Sequence, residues 1–356
     1  MTMARRGDVG GDLPQGVDVL LVTKLMNVRY LTGFLGSNAA VLVWRDGAAL
    51  LATDGRYEIQ AAEEVPDVPL LVTRSLAVDL VREARARGAE VIGIEGHAVT
   101  LDLHGRLVEA AGGAQLRDVG QLVEARRAVK DDVELAALGR ACAVTDEVFD
   151  RVVAGLRVGQ TEREVAWSMQ VSMRELGADG PAFDSIVAFG LHSAIPHHQP
   201  TDRALQAGDF VKLDFGALVD GYHADMTRTV VAGVPAGWQK ELHGFVAQLQ
   251  ADLRAMVRPG AIPVAIDDAS RTRIEEAGYD VAHGLGHGVG LEIHEAPFFV
   301  PGSTAPALAA DTACTVEPGV YLADRGGVRI EDTVVVTADG VRELTRSPRE
   351  LLVVAE

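Results

Sequence analysis

Cysteine is almost absent from this chain: Cys142 and Cys314 are the only two among 356 residues. They lie far apart in sequence, so the pattern excludes a disulfide framework and a thiolate metal site, and a reducing cytoplasm suits the chain. Cys314 reads as a small buried hydrophobe in a strand. Basic charge is also scarce. Lys and Arg number 33 against 51 Asp and Glu, a formal net charge of -18. Such a balance excludes a phosphate-neutralising surface, and with it nucleic acid as a partner. No apolar run approaches the ~20 residues of a membrane span. Residues 1–11 hold Arg5 and Arg6 but no apolar core behind them, so they do not read as a signal peptide. No internal repeat or low-complexity segment stands out.

What is present is ordinary for a globular protein, with 48% hydrophobic and 24% charged residues. The length exceeds what one core usually serves, so two domains are expected. Short apolar runs bounded by turn residues predict strands at 18–23, 40–44, 50–53, 68–72 and 92–95. Helices are expected at 75–87 and 100–111, with Ser75 and Thr100 as candidate caps. These elements predict a small α/β domain over residues 1–124. The charged stretch from Glu124 to Asp132, read as poor in helix, marks the boundary. A long helix from about Val133 to Ala154 opens the second domain, residues 125–356. Thr161 and Glu164 have capping-box spacing for a further helix to Leu176. Beyond Phe183 strands dominate, broken by helices near 238–257 and 264–277. The fold class is therefore α/β, with α+β character in the second domain.

Five polar side chains stand out in that second domain. Asp214 and Asp225 lie eleven residues apart; His287, Glu317 and Glu331 follow. Four carboxylates and one imidazole are the donor types that hold two divalent cations, and such a pair activates a water. The spacing lets them meet. Period-2 alternation puts Val211, Leu213 and Phe215 on one strand face and Lys212, Asp214 and Gly216 on the other. Asp220 and Gly221 form a turn signal, and a return strand over 222–231 would carry Asp225, Thr227 and Thr229 on one face. In 328–336, Arg329, Glu331 and Thr333 share a face, so Arg329 can orient one carboxylate and lower its pKa. Taken singly, each residue is an ordinary turn, surface or loop residue. Taken as a set, five donors in strand or glycine-flanked contexts make chance a poor explanation. Carboxylate-rich ligation with one imidazole suits manganese, and zinc or cobalt also fits.

Histidines gather near these carboxylates. His197 and His198 follow Pro196, and His283, His287 and His294 fall within a glycine-rich run. That much glycine suggests a backbone passing very close to a ligand. His192, His223 and His243 have no such setting and read as surface or structural residues.

Beyond their chemistry, these segments resemble a known family, the pita-bread metallopeptidases. The resemblance rests on the stretches 183–187, 193–198, 200–203, 214–216, 225–229, 283–290, 294–297, 316–321 and 327–332. It extends to the first domain through 27–34 and 54–57. It implies a creatinase-like N-terminal domain before a pita-bread catalytic domain. It implies two divalent metals, with Asp214, Asp225, His287, Glu317 and Glu331 as ligands, and a metal-bridging hydroxide as nucleophile. His197 and His294 would be catalytic, contacting substrate and the developing oxyanion, and Glu317 would take the proton from the water. His283 would line the proline pocket, with Arg329 supporting substrate and metal site. The implied reaction is hydrolysis of the bond before proline, in Xaa-Pro dipeptides (proline dipeptidase) or in longer peptides (aminopeptidase P). A non-catalytic peptide-binding relative is the third possibility, and the filled ligand positions argue against it. Phe298 stands where some dipeptidases place an arginine, leaving Arg29 and Arg325 as candidate caps for the substrate carboxylate. The family also implies a homodimer, with 29–38 as a wall of the partner's site.

Overall fold

The structure, a computed structural model, describes residues 2–355. The chain folds as two units, Met1–Arg127 and Ala128–Glu356.

The first unit is built on a six-stranded mixed sheet. Its strand order is Leu70–Val72, Ala49–Thr53, Ala39–Trp44, Val19–Val22, Val91–Ile94 and Gln115–Asp118. Alternate residues Val19 and Leu21, Ala40 and Leu42, and Ile92 and Ile94 pack against Leu80, Val81, Ala84 and Leu107 of the helices Leu76–Ala86 and Leu101–Ala111. Thr100 caps its helix by accepting from the Leu103 amide at 3.2 Å, whereas Ser75 makes no capping bond. Three helices fall outside the expected elements: Thr2–Gly11, Leu25–Thr32 and Glu58–Glu64. In the first of these, Arg5 and Arg6 are buried and donate to the carbonyls of Tyr30 and Leu31 at 3.3 and 3.1 Å. Long basic side chains there bury their stems and satisfy backbone acceptors. The stretch expected to be poor in helix is half helical, since Leu122–Ala128 is a helix. Its charges mark no solvated linker: Glu124 and Arg127 are buried, Glu124 accepting from Asn27 at 2.9 Å and Arg127 donating to Asn27 at 2.8 Å.

The second unit has two helix-backed halves. In one, Asp132–Gly155 and Glu162–Glu175 pack Val148, Phe149, Met169 and Met173 against a four-stranded sheet. That sheet runs Val353–Val354, Met226–Ala232, Phe210–Phe215, Ile186–Phe189. Both helices begin with complete capping boxes, on Asp131 with Glu134 and on Thr161 with Glu164. In the other half, Gly237–Met256 and Pro263–Glu276 pack Leu242, Val246, Leu249, Ile266 and Ile274 against a five-stranded sheet. That sheet runs Glu295–Phe299, Gly286–Gly288, Ala313–Val316, Asp332–Thr337, Gly340–Glu343. Cys314 lies fully buried in this core, and burial pushes its thiol up to about 12, as expected of a structural cysteine. Helices cover one face of each sheet, which leaves the other faces free to bring side chains together.

Candidate metal centre

Asp214 sits on the strand Phe210–Phe215, where Val211, Leu213 and Phe215 turn into the helix-backed core and leave Asp214 on the opposite face. The return strand is not continuous. Met226–Ala232 pairs with Phe210–Phe215, setting Thr227 opposite Asp214, but Tyr222–His223 pairs instead with Ala217–Val219. Asp225 occupies the break. The crossing needs Gly216, because a β-carbon there would lie 1.7 Å from the carbonyl oxygen of Ala224. The turn behaves as expected, with φ of 51° at Asp220 and 76° at Gly221.

Glu331 also lies in a break rather than within one long strand. Gly326–Arg329 pairs with Gly319–Leu322, while Asp332–Thr337 belongs to the five-stranded sheet. The bridge is fixed by the Glu331 amide donating to the Thr227 carbonyl at 3.1 Å and by Thr227 Oγ1 donating to Glu331 Oε2 at 2.6 Å. His287 is central in the short strand Gly286–Gly288, and Glu317 follows Ala313–Val316. The glycines around His287 serve their neighbours rather than a ligand. β-Carbons at Gly286 and Gly288 would meet the carbonyl oxygens of Thr315 at 2.3 Å and Ala296 at 2.1 Å. Adjacent backbones, not a bound molecule, require their absence.

All five side chains converge on one cavity of about 240 Å³. His287 Nε2 stands 3.3 Å from Glu317 Oε1 and 3.6 Å from Asp225 Oδ2. Donor atoms of Asp225, His287 and Glu331 all lie within 4.8 Å of one another. Asp214 accepts from the Arg329 guanidinium, which is itself buried. Burial and then the neighbouring carboxylates push Asp225 and Glu331 well above the usual carboxyl range. Burial would also raise Glu317, but the hydrogen bond and charge of His287 more than offset it and hold it at about 2. The same contacts overcome burial at His287 and raise it to about 9.

Two observations fit this donor set to cations. Glu331 Oε1 is buried and finds no hydrogen-bond partner, a costly state for a carboxylate that a cation would relieve. His287 Nδ1 lies 3.0 Å from the Gly288 carbonyl, which can only accept. One proton therefore belongs on Nδ1, so Nε2 is the atom turned toward the carboxylates, the one that would ligate a cation once its own proton leaves.

The other expected residues divide. His197 and His294 line the cavity, and the His294 ring stands edge-on to His287 with centroids 4.3 Å apart. Burial and then the charge of His287 lower His294, favouring its neutral form. Arg329 lines the cavity but is spent on protein: besides Asp214 it donates to Thr227 Oγ1 at 3.0 Å and to the Tyr321 hydroxyl at 2.8 Å. His283 is not among the lining residues. Its Nδ1 faces the Gly284 carbonyl at 2.7 Å and its Nε2 the Tyr321 hydroxyl at 2.8 Å. The tyrosine thus accepts from Arg329 and donates to His283, a relay the sequence reading missed, although Tyr321 closes the Val316 to Tyr321 stretch. Lys212 was also overlooked, despite sharing a strand face with Asp214. It is buried and donates to the carbonyls of Ile195 and Pro196 at 2.6 and 3.2 Å. Arg325, a candidate carboxylate cap, instead stands 5.8 Å over the Trp238 ring. His192 is not a bare surface residue, since its Nδ1 lies 2.8 Å from the buried Glu162 carboxylate.

Comparison with known proteins places both units. Residues 136–338 match Metallopeptidase family M24, and residues 14–129 match the Creatinase/Prolidase N-terminal domain. The uncharacterized peptidase YqhT of Bacillus subtilis is 36% identical, over 95% of this chain and 96% of its own length. An Xaa-Pro dipeptidase of Pyrococcus furiosus is 34% identical, over 94% of this chain and 95% of its own. Among solved structures, an Xaa-Pro dipeptidase from Bacillus anthracis covers 99% of both chains with a TM-score of 0.92 at 34% identity. An X-Pro aminopeptidase from Thermotoga maritima covers 96% of both with a TM-score of 0.88, also at 34% identity.

Proposed function

Because this chain belongs to metallopeptidase family M24, an enzyme with a creatinase/prolidase N-terminal domain before its pita-bread catalytic domain, we propose that it hydrolyses the peptide bond preceding proline in Xaa-Pro dipeptides. The observation that carries the reading is the convergence of Asp214, Asp225, His287, Glu317 and Glu331 on one cavity, with an orphaned Glu331 oxygen at its wall. These residues would hold two divalent ions, with manganese the best match to a carboxylate-rich set and zinc or cobalt also fitting. When bound, such a pair supplies a water ionised near neutral pH and positive charge for a developing oxyanion.

The chain's own groups then have definable tasks. Glu317 Oε1 is the base, taking a proton from the attacking water. His197 and His294 project into the cavity from opposite flanks in sequence and donate to the carbonyl oxygen as it gains charge. Arg329 aims Asp214 by donating to its Oδ2. Burial keeps His283 neutral, and Tyr321, tied to Arg329, fixes its ring, so His283 shapes the proline end from behind. Two buried, unpaired cysteines suit a cytoplasmic enzyme, and a homodimer in which 29–38 of one copy walls the other's site is part of the same reading.

One observation favours a second reading, an Xaa-Pro aminopeptidase acting on longer peptides. A dipeptide's terminal carboxylate calls for a cation. Among the described residues lining the cavity, Arg329 is the one guanidinium or ammonium, and it is already engaged. The test is hydrolysis of Ala-Pro beside Ala-Pro-Ala by apoprotein reloaded with manganese or zinc. Cleavage of the dipeptide alone supports the dipeptidase. Efficient cleavage of the tripeptide transfers the chain to the aminopeptidases, and cleavage of neither overturns both readings.

A further inference from the structure

His197 sits in a stretch that no helix or strand supports. Residues 195–203 follow a short 3-10 helix, Gly190–Ala194, and join no sheet. A backbone outside the ladders takes its position from side-chain bonds. Here those bonds come from a carboxylate that is not among the residues lining the cavity. Glu162, fully buried at the start of its helix, receives five donors. Oε1 accepts from the Phe189 amide at 2.9 Å and faces His192 Nδ1 at 2.8 Å. Oε2 faces His198 Nε2 at 2.8 Å and accepts from the Thr201 amide at 2.9 Å and hydroxyl at 2.6 Å.

The cluster of Glu162, His192 and His198 has the residue types of a cation site. Its hydrogen bonding argues otherwise, because a cation would have to displace donors that already fill both oxygens. Burying a carboxylate is expensive, and removing one partner of such a network is costly. The expense secures a fixed loop. The first turn of the same helix adds backbone bonds, Glu162 amide to the Arg203 carbonyl at 3.1 Å and Arg163 amide to the Thr201 carbonyl at 3.2 Å. On the other side of His197, Lys212 holds the carbonyls of Ile195 and Pro196, and Arg329 reaches the Pro196 carbonyl at 3.3 Å.

We propose that Glu162 is a positioning residue for the peptidase reaction: by gripping His198 and Thr201 it fixes the backbone that presents His197 to the cavity, while Lys212 holds the preceding carbonyls. The proposal rests on the reading of His197 as a substrate-contacting residue. Misplacement of such a group by about 1 Å costs up to about a hundredfold in rate.

The test is a double-mutant cycle on the full, manganese-loaded chain, with kcat and KM measured on the better of the two peptides named above. Glu162→Gln turns an acceptor into a donor. It is expected to lower kcat by roughly tenfold to a hundredfold with bound manganese unchanged. His197→Ala is expected to cost at least about tenfold. In the His197→Ala background Glu162→Gln should cost less than about twofold more, because the group it positions is gone. Full additivity of the two losses, or an unchanged kcat in folded Glu162→Gln, overturns the proposal. An unchanged kcat in His197→Ala overturns the role of His197 itself, a different failure that the cycle separates from the first. Thr201→Val removes one donor and carries the same cycle if Glu162→Gln does not fold.

Discussion

Glu317 has the clearest double identity of any residue in the chain. It is close enough to His287 to share a proton, and that contact holds it low although the residue is largely shielded from water. A group that is ionised in such a place can ligate a cation and still accept a proton from water. Glu317→Gln keeps the size and one oxygen but removes the base. We expect turnover to fall by about 10²- to 10⁴-fold, with most of the bound manganese retained, read by steady-state kinetics beside metal analysis of the same sample. Near-normal turnover at full occupancy would assign the proton to another group. Much of the residue level was legible beforehand. The five donors were chosen by chemical type and setting, and they do meet in one cavity. Tyr321 and Lys212 were not legible, because a tyrosine or lysine in an apolar strand looks like packing until its hydrogen-bond partners are known.

At the level of elements, the site depends on two interruptions rather than on regular strands. Asp225 and Glu331 each sit where one sheet hands the chain to another. Period-2 reasoning extended both strands straight through these points, since it has no means of registering a change of partner. The crossing at Gly216 is the more fragile. Gly216→Ala forces a methyl against the Ala224 carbonyl, and overpacking of this kind costs about 1–3 kcal/mol. The relief displaces Asp225 from Asp214, so manganese affinity should fall along with the melting temperature, measured by titration and calorimetry. Unchanged affinity would show that the hairpin tolerates the shift. The second interruption is anchored by Asp332, whose side chain turns away from the cavity. It accepts from Arg228 at 2.7 Å, Arg254 at 3.0 Å and Arg349 at 2.6 Å, with Gln250 at 2.7 Å. Burial alone would raise this carboxyl, but Arg228 and Arg349 bring it down to about 2. Its folded value lies below the unfolded value of about 3.9. The stabilisation is therefore complete above about pH 4 and is lost as pH falls toward 2. Asp332→Asn leaves buried guanidinium groups uncompensated and should cost about 3–5 kcal/mol near neutral pH. Urea unfolding at pH 6 and at pH 3 checks this, since the gap between wild type and variant should narrow at the lower pH. An equal gap at both would assign the loss to packing.

At the scale of the whole molecule, each unit has its own core, packed on the six-stranded sheet in the first and on the helix-backed faces of two sheets in the second. The candidate metal ligands all belong to the second. Cations that bind only the folded second unit stabilise it by mass action, by about 2.7 kcal/mol at a hundredfold excess over Kd. Removal of metal with a chelator should lower the melting temperature, and added manganese should restore it. A fragment of residues 1–127 should show no such response if it folds alone. A melting curve indifferent to chelation would argue that the carboxylate cluster is already compensated by Arg329 and His287.

The sequence by itself determined the two-domain α/β plan, the helices with capping signals, the membership in a metallopeptidase family and the choice of five candidate donors that share one cavity. The plan and the helices follow from local propensity and periodicity, the candidate donors from residue type and setting, and the family from the resemblance of short motifs, all of them properties of short stretches. Only the tertiary structure decided that Asp225 and Glu331 stand in strand breaks, that the glycines around His287 admit neighbouring strands, and that His283 is held through Tyr321. It alone joined Glu162 to a loop some forty residues away. Each of these is a contact between distant segments, and its energy comes from burial and hydrogen bonding that exist only once the sheets have packed.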